Sequence, residues 1–182
     1  MTQCRDSERR FGAISRGLHW AVALLLLWQF AGMLCKVLIG PSAITGFLVG
    51  THKPLGALLL ALIALRALWA LGQLKHRPSQ PDTLLGWCAR LGHLCLYALM
   101  LLVPALALLR QYGSGQAFAP FGIPLFAGGF EPIGWMTAPA NALHGWLGWV
   151  LLALVAGHVL MVVVHRRLLG DDVLPRMVGR GD

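Results

Sequence analysis

Long apolar runs separated by short polar or basic stretches set the pattern of this chain. A helix needs about 20 mostly apolar residues to cross a bilayer, at about 1.5 Å of rise per residue. Four segments reach that length, at about 17–38, 44–71, 84–109 and 142–165. The second is long enough to tilt or kink, and Pro54 predicts the kink. Pro104 lies inside the third. The link between the second and third runs is polar and contains proline, as a plain linker does. The stretch 111–140 differs: it is rich in glycine and proline and carries Phe118, Phe121, Phe126, Phe130 and Trp135. A connection of that length has a function or a structure of its own. Its aromatic residues predict a cap lying in the membrane interface, and a lid with packing duties alone fits the same residues. No internal repeat is visible. The predicted fold class is all-α, an integral membrane four-helix bundle forming a single domain over 1–182.

Composition agrees. The chain is 57% hydrophobic and 12% charged, against about 25% charged residues in ordinary soluble domains. A soluble fold of this size has no interior large enough for so much apolar surface, and disorder needs the opposite composition. The net charge is +8, but the basic residues sit between the runs, where they set topology rather than bind nucleic acid. Twelve of the fifteen fall on one side of the bilayer: Arg5, Arg9, Arg10, Arg16, Arg66, Lys75, Arg77, Arg90, Arg166, Arg167, Arg176 and Arg180. Lys36, Lys53 and Arg110 fall on the other. Both termini are therefore expected to be cytoplasmic. The first run has a basic start but reaches Leu34 with no small-residue cleavage site, so it reads as a retained helix and not a signal peptide. Cys4, Cys35, Cys88 and Cys95 form no C-x-x-C and read as packing residues.

Histidine is the chemical signal. Five of seven, His19, His52, His93, His144 and His158, lie in or at the runs. Ionisable side chains inside a membrane are costly and face the bundle interior with a partner. Ligation of a metal or a haem gives all five one explanation. Chain direction sorts them by depth: His19 and His158 fall near the inner face, His52 and His144 near the outer. His144 and His158 are 14 residues apart, which is about four whole turns and about 21 Å of helix. They share one face of one helix at two depths, as ligands of two stacked haems must. His19 then pairs with His158 and His52 with His144. Arg66 is also 14 residues after His52, so it lies on that face at the inner level. There it suits a haem propionate or snorkels to the interface. His93 is also at the inner level, and depth alone does not choose between it and His158; the helical phase with His144 favours His158. His93 is left to bond a propionate or line a quinone pocket. His76 and His165 read as interfacial.

The ordered set Ile14-Ser15-Arg16-Gly17-Leu18-His19-Trp20, His52, Leu91-Gly92-His93-Leu94, Tyr97, Pro104, His144, Gly157-His158 and His165 resembles the bacterial cytochrome b-561 family. More distantly it is similar to the b-type cytochrome subunits of hydrogenases. The likeness runs from about Phe11 to Met177, with Lys53-Pro54 after His52 as one departure. It implies a bacterial inner-membrane protein with two haems b, each held by two histidines, on His19, His52, His144 and His158; His93 matches a position that is not a ligand. It also implies exchange of electrons with ubiquinone. An iron ligated on both faces suits outer-sphere electron transfer. Besides the lipid bilayer and quinone, the expected partner is a small one-electron donor such as superoxide, or a redox protein. Lys36, Lys53 and Arg110, opposed only by Glu131, would attract an anion to the outer face. A homodimer stays open. The alternative function is a membrane anchor relaying electrons for a separate dehydrogenase or hydrogenase. A histidine-lined transporter is disfavoured because no acidic residue lies inside a run.

Overall fold

The computed structural model describes residues 3–8, 10–77, 82–170 and 174–179. Arg9 and Arg180 of the basic set, the Arg176 side chain and the middle of the linker at 78–81 lie outside the described residues.

Four spans are present among the described residues, built from α1 (Ala13–Leu38), α2 with α3 (Ala43–Gly50 and His52–Gly72), α4 (Leu84–Gly113) and α5 (Gly134–Val164). A turn of π-helix (His165–Leu169) extends α5, and a short α6 (Pro175–Val178) follows. The runs are rich in Leu and Ala, strong helix formers. Helix starts are marked by side-chain caps: the Ser42 hydroxyl accepts from Thr45 N at 3.1 Å and the Thr83 hydroxyl from Gly86 N at 3.2 Å.

The second span is interrupted at Thr51, three residues before the proline expected to kink it. Pro54 has no N–H to give the carbonyl of Gly50, so the ladder opens there; Leu55 N still reaches Thr51 O at 3.1 Å. Pro54 thus sits in the first turn of α3, where a missing N–H costs least. The fourth helix begins at Gly134, well before the expected 142, and takes Trp135 out of the loop. An apolar run marks the lipid-crossing part of a helix, and backbone hydrogen bonds carry the helix on into the interface. α1 and α4 overrun their apolar runs for the same reason.

α5 packs along α4, α4 against α3, and α3 against α1; α2 folds back on α1. Gly32 permits that last approach, since a Cβ there would stand 3.3 Å from the Leu48 Cβ. The interior is a thin layer: Val22 and Leu26 of α1, Leu59 and Ile63 of α3, Leu96 and Met100 of α4, and Leu151 of α5. Most other large apolar side chains face outward, Leu27 at 68% exposure among them, as expected where lipid is the solvent.

One end of the bundle carries both chain termini. There Trp20 Nε1 donates to Met177 O at 3.1 Å, and Trp69 Nε1 donates to the Ser15 hydroxyl at 2.9 Å. The segment before α1 is held by Asp6, whose Oδ1 accepts from Gly12 N at 2.8 Å and whose Oδ2 lies 3.6 Å from Arg77. The opposite end carries the long loop. Its base is closed by Ile133 N donating to Gly113 O at 2.7 Å and Gly129 N to Gly115 O at 2.9 Å. Phe118 and Phe126 pair as a bridge, and Tyr112 meets Phe126 edge-on and Phe130 at a tilt. The turn Pro120–Gly122 packs against α3, with Pro120 buried. Gly128, at φ 70°, is required: a Cβ would meet Ala117 N at 2.5 Å. The loop is a built structure folded onto the bundle end.

Candidate functional site

The histidines gather at two levels, one on each side of the apolar layer. Leu151 lies seven residues from both His144 and His158, so the layer stands between the two levels.

At the loop end His52, the first residue of α3, faces His144 of α5. Their ring centroids are 6.1 Å apart and the rings nearly perpendicular at 88°. His144 Nδ1 lies 3.0 Å from Val103 O, a carbonyl that can only accept, so Nδ1 carries the proton and Nε2 keeps its lone pair. His52 Nδ1 is buried with no hydrogen-bond partner. The break before α3 is pinned: Gln29 Nε2 donates to His52 O at 3.0 Å, and Trp28 Nε1 to the Thr51 hydroxyl at 2.9 Å. Gly56 and Gly148 lie one turn on from these two histidines, and a Cβ on Gly148 would meet no atom within 4 Å.

At the termini end His19 of α1 faces His158 of α5, with centroids 6.4 Å apart and a 60° angle between planes. His93 of α4 stands edge-on to His158 at 5.4 Å, its Nδ1 donating to Ala89 O of its own helix at 2.7 Å. Arg66 reaches this cluster: Nη2 is 3.0 Å from His19 Nδ1, and the guanidinium carbon lies 5.2 Å from the centre of the Tyr97 ring. Among the described residues the ion pairs are Arg77 with Asp6 and Arg90 with Asp82, so no carboxylate neutralises Arg66. His76 lies in the turn after α3, bonded through its N–H to Gln73 O at 2.9 Å, and His165 begins the π-helical turn. Neither joins the four facing histidines.

The spacing fits a metal held between each pair. A metal–nitrogen bond is about 2 Å, and an imidazole nitrogen stands about 1 Å from its ring centre, so two imidazoles on opposite sides of one metal have centroids about 6 Å apart. Among the described residues no three His, Cys, Asp or Glu are arranged to hold an ion by themselves. A pair of histidines would leave the remaining donors of a metal to a cofactor, which is what a porphyrin supplies. The unpartnered His52 Nδ1 and the open side of Gly148 fit such a group as well.

The sequence reading placed His19, His52, His93, His144, His158 and Arg66, and the structure brings them into two clusters. It missed Gln29, for which the signal was a lone amide inside the first apolar run. It also missed the Val103 carbonyl, which no side-chain pattern encodes.

A family model described as prokaryotic cytochrome b561 matches residues 10–180. Cytochrome b561 homolog 2 of Escherichia coli (strain K12) is 30% identical over 181 residues, covering 96% of this chain and 94% of the relative. The probable superoxide oxidase CybB of Yersinia pestis is 23% identical over 178 residues, covering 94% of this chain and 97% of the relative. With a family match over nearly its whole length, four apolar spans and histidines gathered within them, the chain belongs to the prokaryotic cytochrome b561 family, multi-pass electron-transfer proteins of the bacterial inner membrane that carry b-type haem.

Proposed function

We propose that the chain transfers electrons across the membrane through two haems b, one held by His52 and His144 and one by His19 and His158. The observation that carries this reading is the pair of facing imidazoles at each of two levels, 6.1 Å and 6.4 Å apart, with both α5 members on one helix face. When bound, haem b supplies a one-electron couple whose iron changes charge without binding substrate. The chain's own part is to hold, orient and insulate. The Val103 carbonyl fixes the His144 tautomer, as a metal-bound histidine requires. Gln29 holds the backbone of His52 at the start of α3. The layer around Ile63 keeps water from between the two levels. Arg66 offers a planar cation to an inner propionate, and His93 stands where it could bond the same group or a quinone.

The proposed partners are ubiquinone in the bilayer and a small one-electron donor at the loop end, which we place on the periplasmic side. Superoxide is the donor suggested by the name of the Yersinia relative. Two superoxide ions give up one electron each and leave as dioxygen, and the quinone takes two electrons and two protons to become the quinol. Replacing Lys53 and Arg110 together by Gln is expected to slow an anionic donor about tenfold at low salt and to flatten the dependence of rate on ionic strength. Unchanged rates would remove the steering role.

A pyridine haemochrome assay on detergent-purified protein tests the core of the reading. Two haems b per chain are expected, falling to about one in His52→Ala or in His158→Ala. A single haem in the wild type, or two haems in either variant, would overturn the ligand assignment.

A further inference from the structure

Among the described residues the two levels differ in one respect that the paired histidines hide: a half-buried cation, Arg66, touches the inner pair and none touches the outer. We propose that Arg66 sets the reduction potential of the inner site above that of the outer site, so that electrons run downhill from the loop end to the end carrying the termini. This rests on the two-haem reading above.

Arg66 lies half-buried in α3, about two turns before its end at Gly72, and a guanidinium stays charged at any working pH. Its Nη2 touches His19 Nδ1 at 3.0 Å. Among the described residues Asp6 pairs with Arg77 and Asp82 with Arg90, so the counter-charge open to Arg66 is the inner propionate assigned to it above, and its effect on the site is net of that pairing. A site that accepts an electron gains a negative charge, and in a low-dielectric interior an adjacent cation favours that state strongly. The outer ligand acts in the same direction: His144 donates its Nδ1 proton to the Val103 carbonyl, an arrangement that makes the ligand more basic and favours the oxidised iron.

Among the described residues the groups hydrogen-bonded to His52 and His144 are neutral: the Gln29 amide and the Val103 carbonyl. The cations at that end, Lys36, Lys53 and Arg110, are exposed; Lys53 Nζ is already bonded to Gln111 Oε1 at 3.0 Å, and Lys36 is the one whose charge reaches His52. Water and salt screen charges placed so. Transfer between the levels moves one electron, makes and breaks no bond, and takes no proton from Arg66.

The experiment is spectroelectrochemistry on the purified holoprotein, with haem counted in every sample. His19→Ala, retaining the outer haem, and His52→Ala, retaining the inner one, assign the two waves of the wild type. The inner wave is expected at the higher potential. Arg66→Gln is expected to lower it, shifting the sharing of one electron between the sites by about tenfold or more towards the outer one, with the outer wave in place. Arg66→Lys is expected to stay within about threefold of the wild type. Two haems with an inner wave at or below the outer one overturn this proposal alone, as do two haems with unchanged waves in Arg66→Gln. A wild type with fewer than two haems overturns the underlying reading instead. If Arg66→Gln sheds the inner haem, the order of the waves in the wild type and Arg66→Lys decides.

Discussion

Gln29 is a buried amide inside a membrane span, and only one end of it is engaged: Nε2 donates to His52 O while Oε1 has no partner. Leucine is nearly isosteric there and removes an unsatisfied oxygen together with the bond, so Gln29→Leu is expected to change stability by less than about 1 kcal/mol. Losing the support behind a ligand is a separate matter and costs about tenfold or more in metal-site affinity. The variant should therefore keep its fold and its inner haem yet shed the outer haem on dilution, measured by absorbance of the retained pigment. Equal retention of both haems would show that Gln29 does not steady His52. Asp6 is another buried polar residue with a defined duty, holding the Gly12 N–H and facing Arg77. Asp6→Ala leaves both partners unsatisfied and should loosen residues 3–12 by about 1–3 kcal/mol, seen as faster hydrogen exchange confined to that segment. Of these two residues only Gln29 carries a signal in the sequence, a lone amide in an apolar run, and that signal was passed over. Asp6 looks like any acidic residue beside arginines, because its partner Arg77 comes from the turn beyond α3.

Elements were legible where their cause is local. Four lengths of apolar residues read as four spans, and the 14-residue interval on α5 alone puts two histidines on one helix face. Helix ends were less legible, since backbone hydrogen bonding continues after hydropathy stops, as in the first turns of α5. The interruption of the second span shows the same limit: the proline was visible, but its effect falls at the carbonyl four residues earlier, which puts the break at Thr51 and makes His52 the first residue of α3. That position has a consequence for the outer site. Pro54→Ala returns an N–H to Gly50 O and lets α2 and α3 join into one helix. The joined helix would carry His52 away from His144. Helical content by circular dichroism should stay within error of the wild type while bound haem falls towards one per chain. Two retained haems would mean that the outer site does not depend on the break.

At the scale of the whole molecule the bundle inverts the usual order of a soluble fold, with a thin packed layer inside and a wide apolar surface outside. Stability is then concentrated in the layer. Ile63 is fully buried at 0% exposure, and Ile63→Ala is expected to cost about 2–4 kcal/mol, whereas truncating the lipid-facing Leu27 should cost little. The charge distribution gives the bundle its direction. An even number of spans brings both termini to one end, and the hydrogen bond from Trp20 to Met177 O joins the start of α1 to α6 there. That end carries most of the basic residues, while Lys36, Lys53 and Arg110 stand at the other. Basic residues resist translocation, so the termini end should stay in the cytoplasm and the folded loop should face the periplasm. A reporter fused after Asp182 that fluoresces only in the cytoplasm should be bright, and a phosphatase active only in the periplasm should be silent at the same site and active when inserted at Gly122. The opposite pattern would reverse the bundle, and with it the side from which an anionic donor could approach His52 and His144. The topology therefore decides whether the cations near the loop meet a periplasmic donor at all.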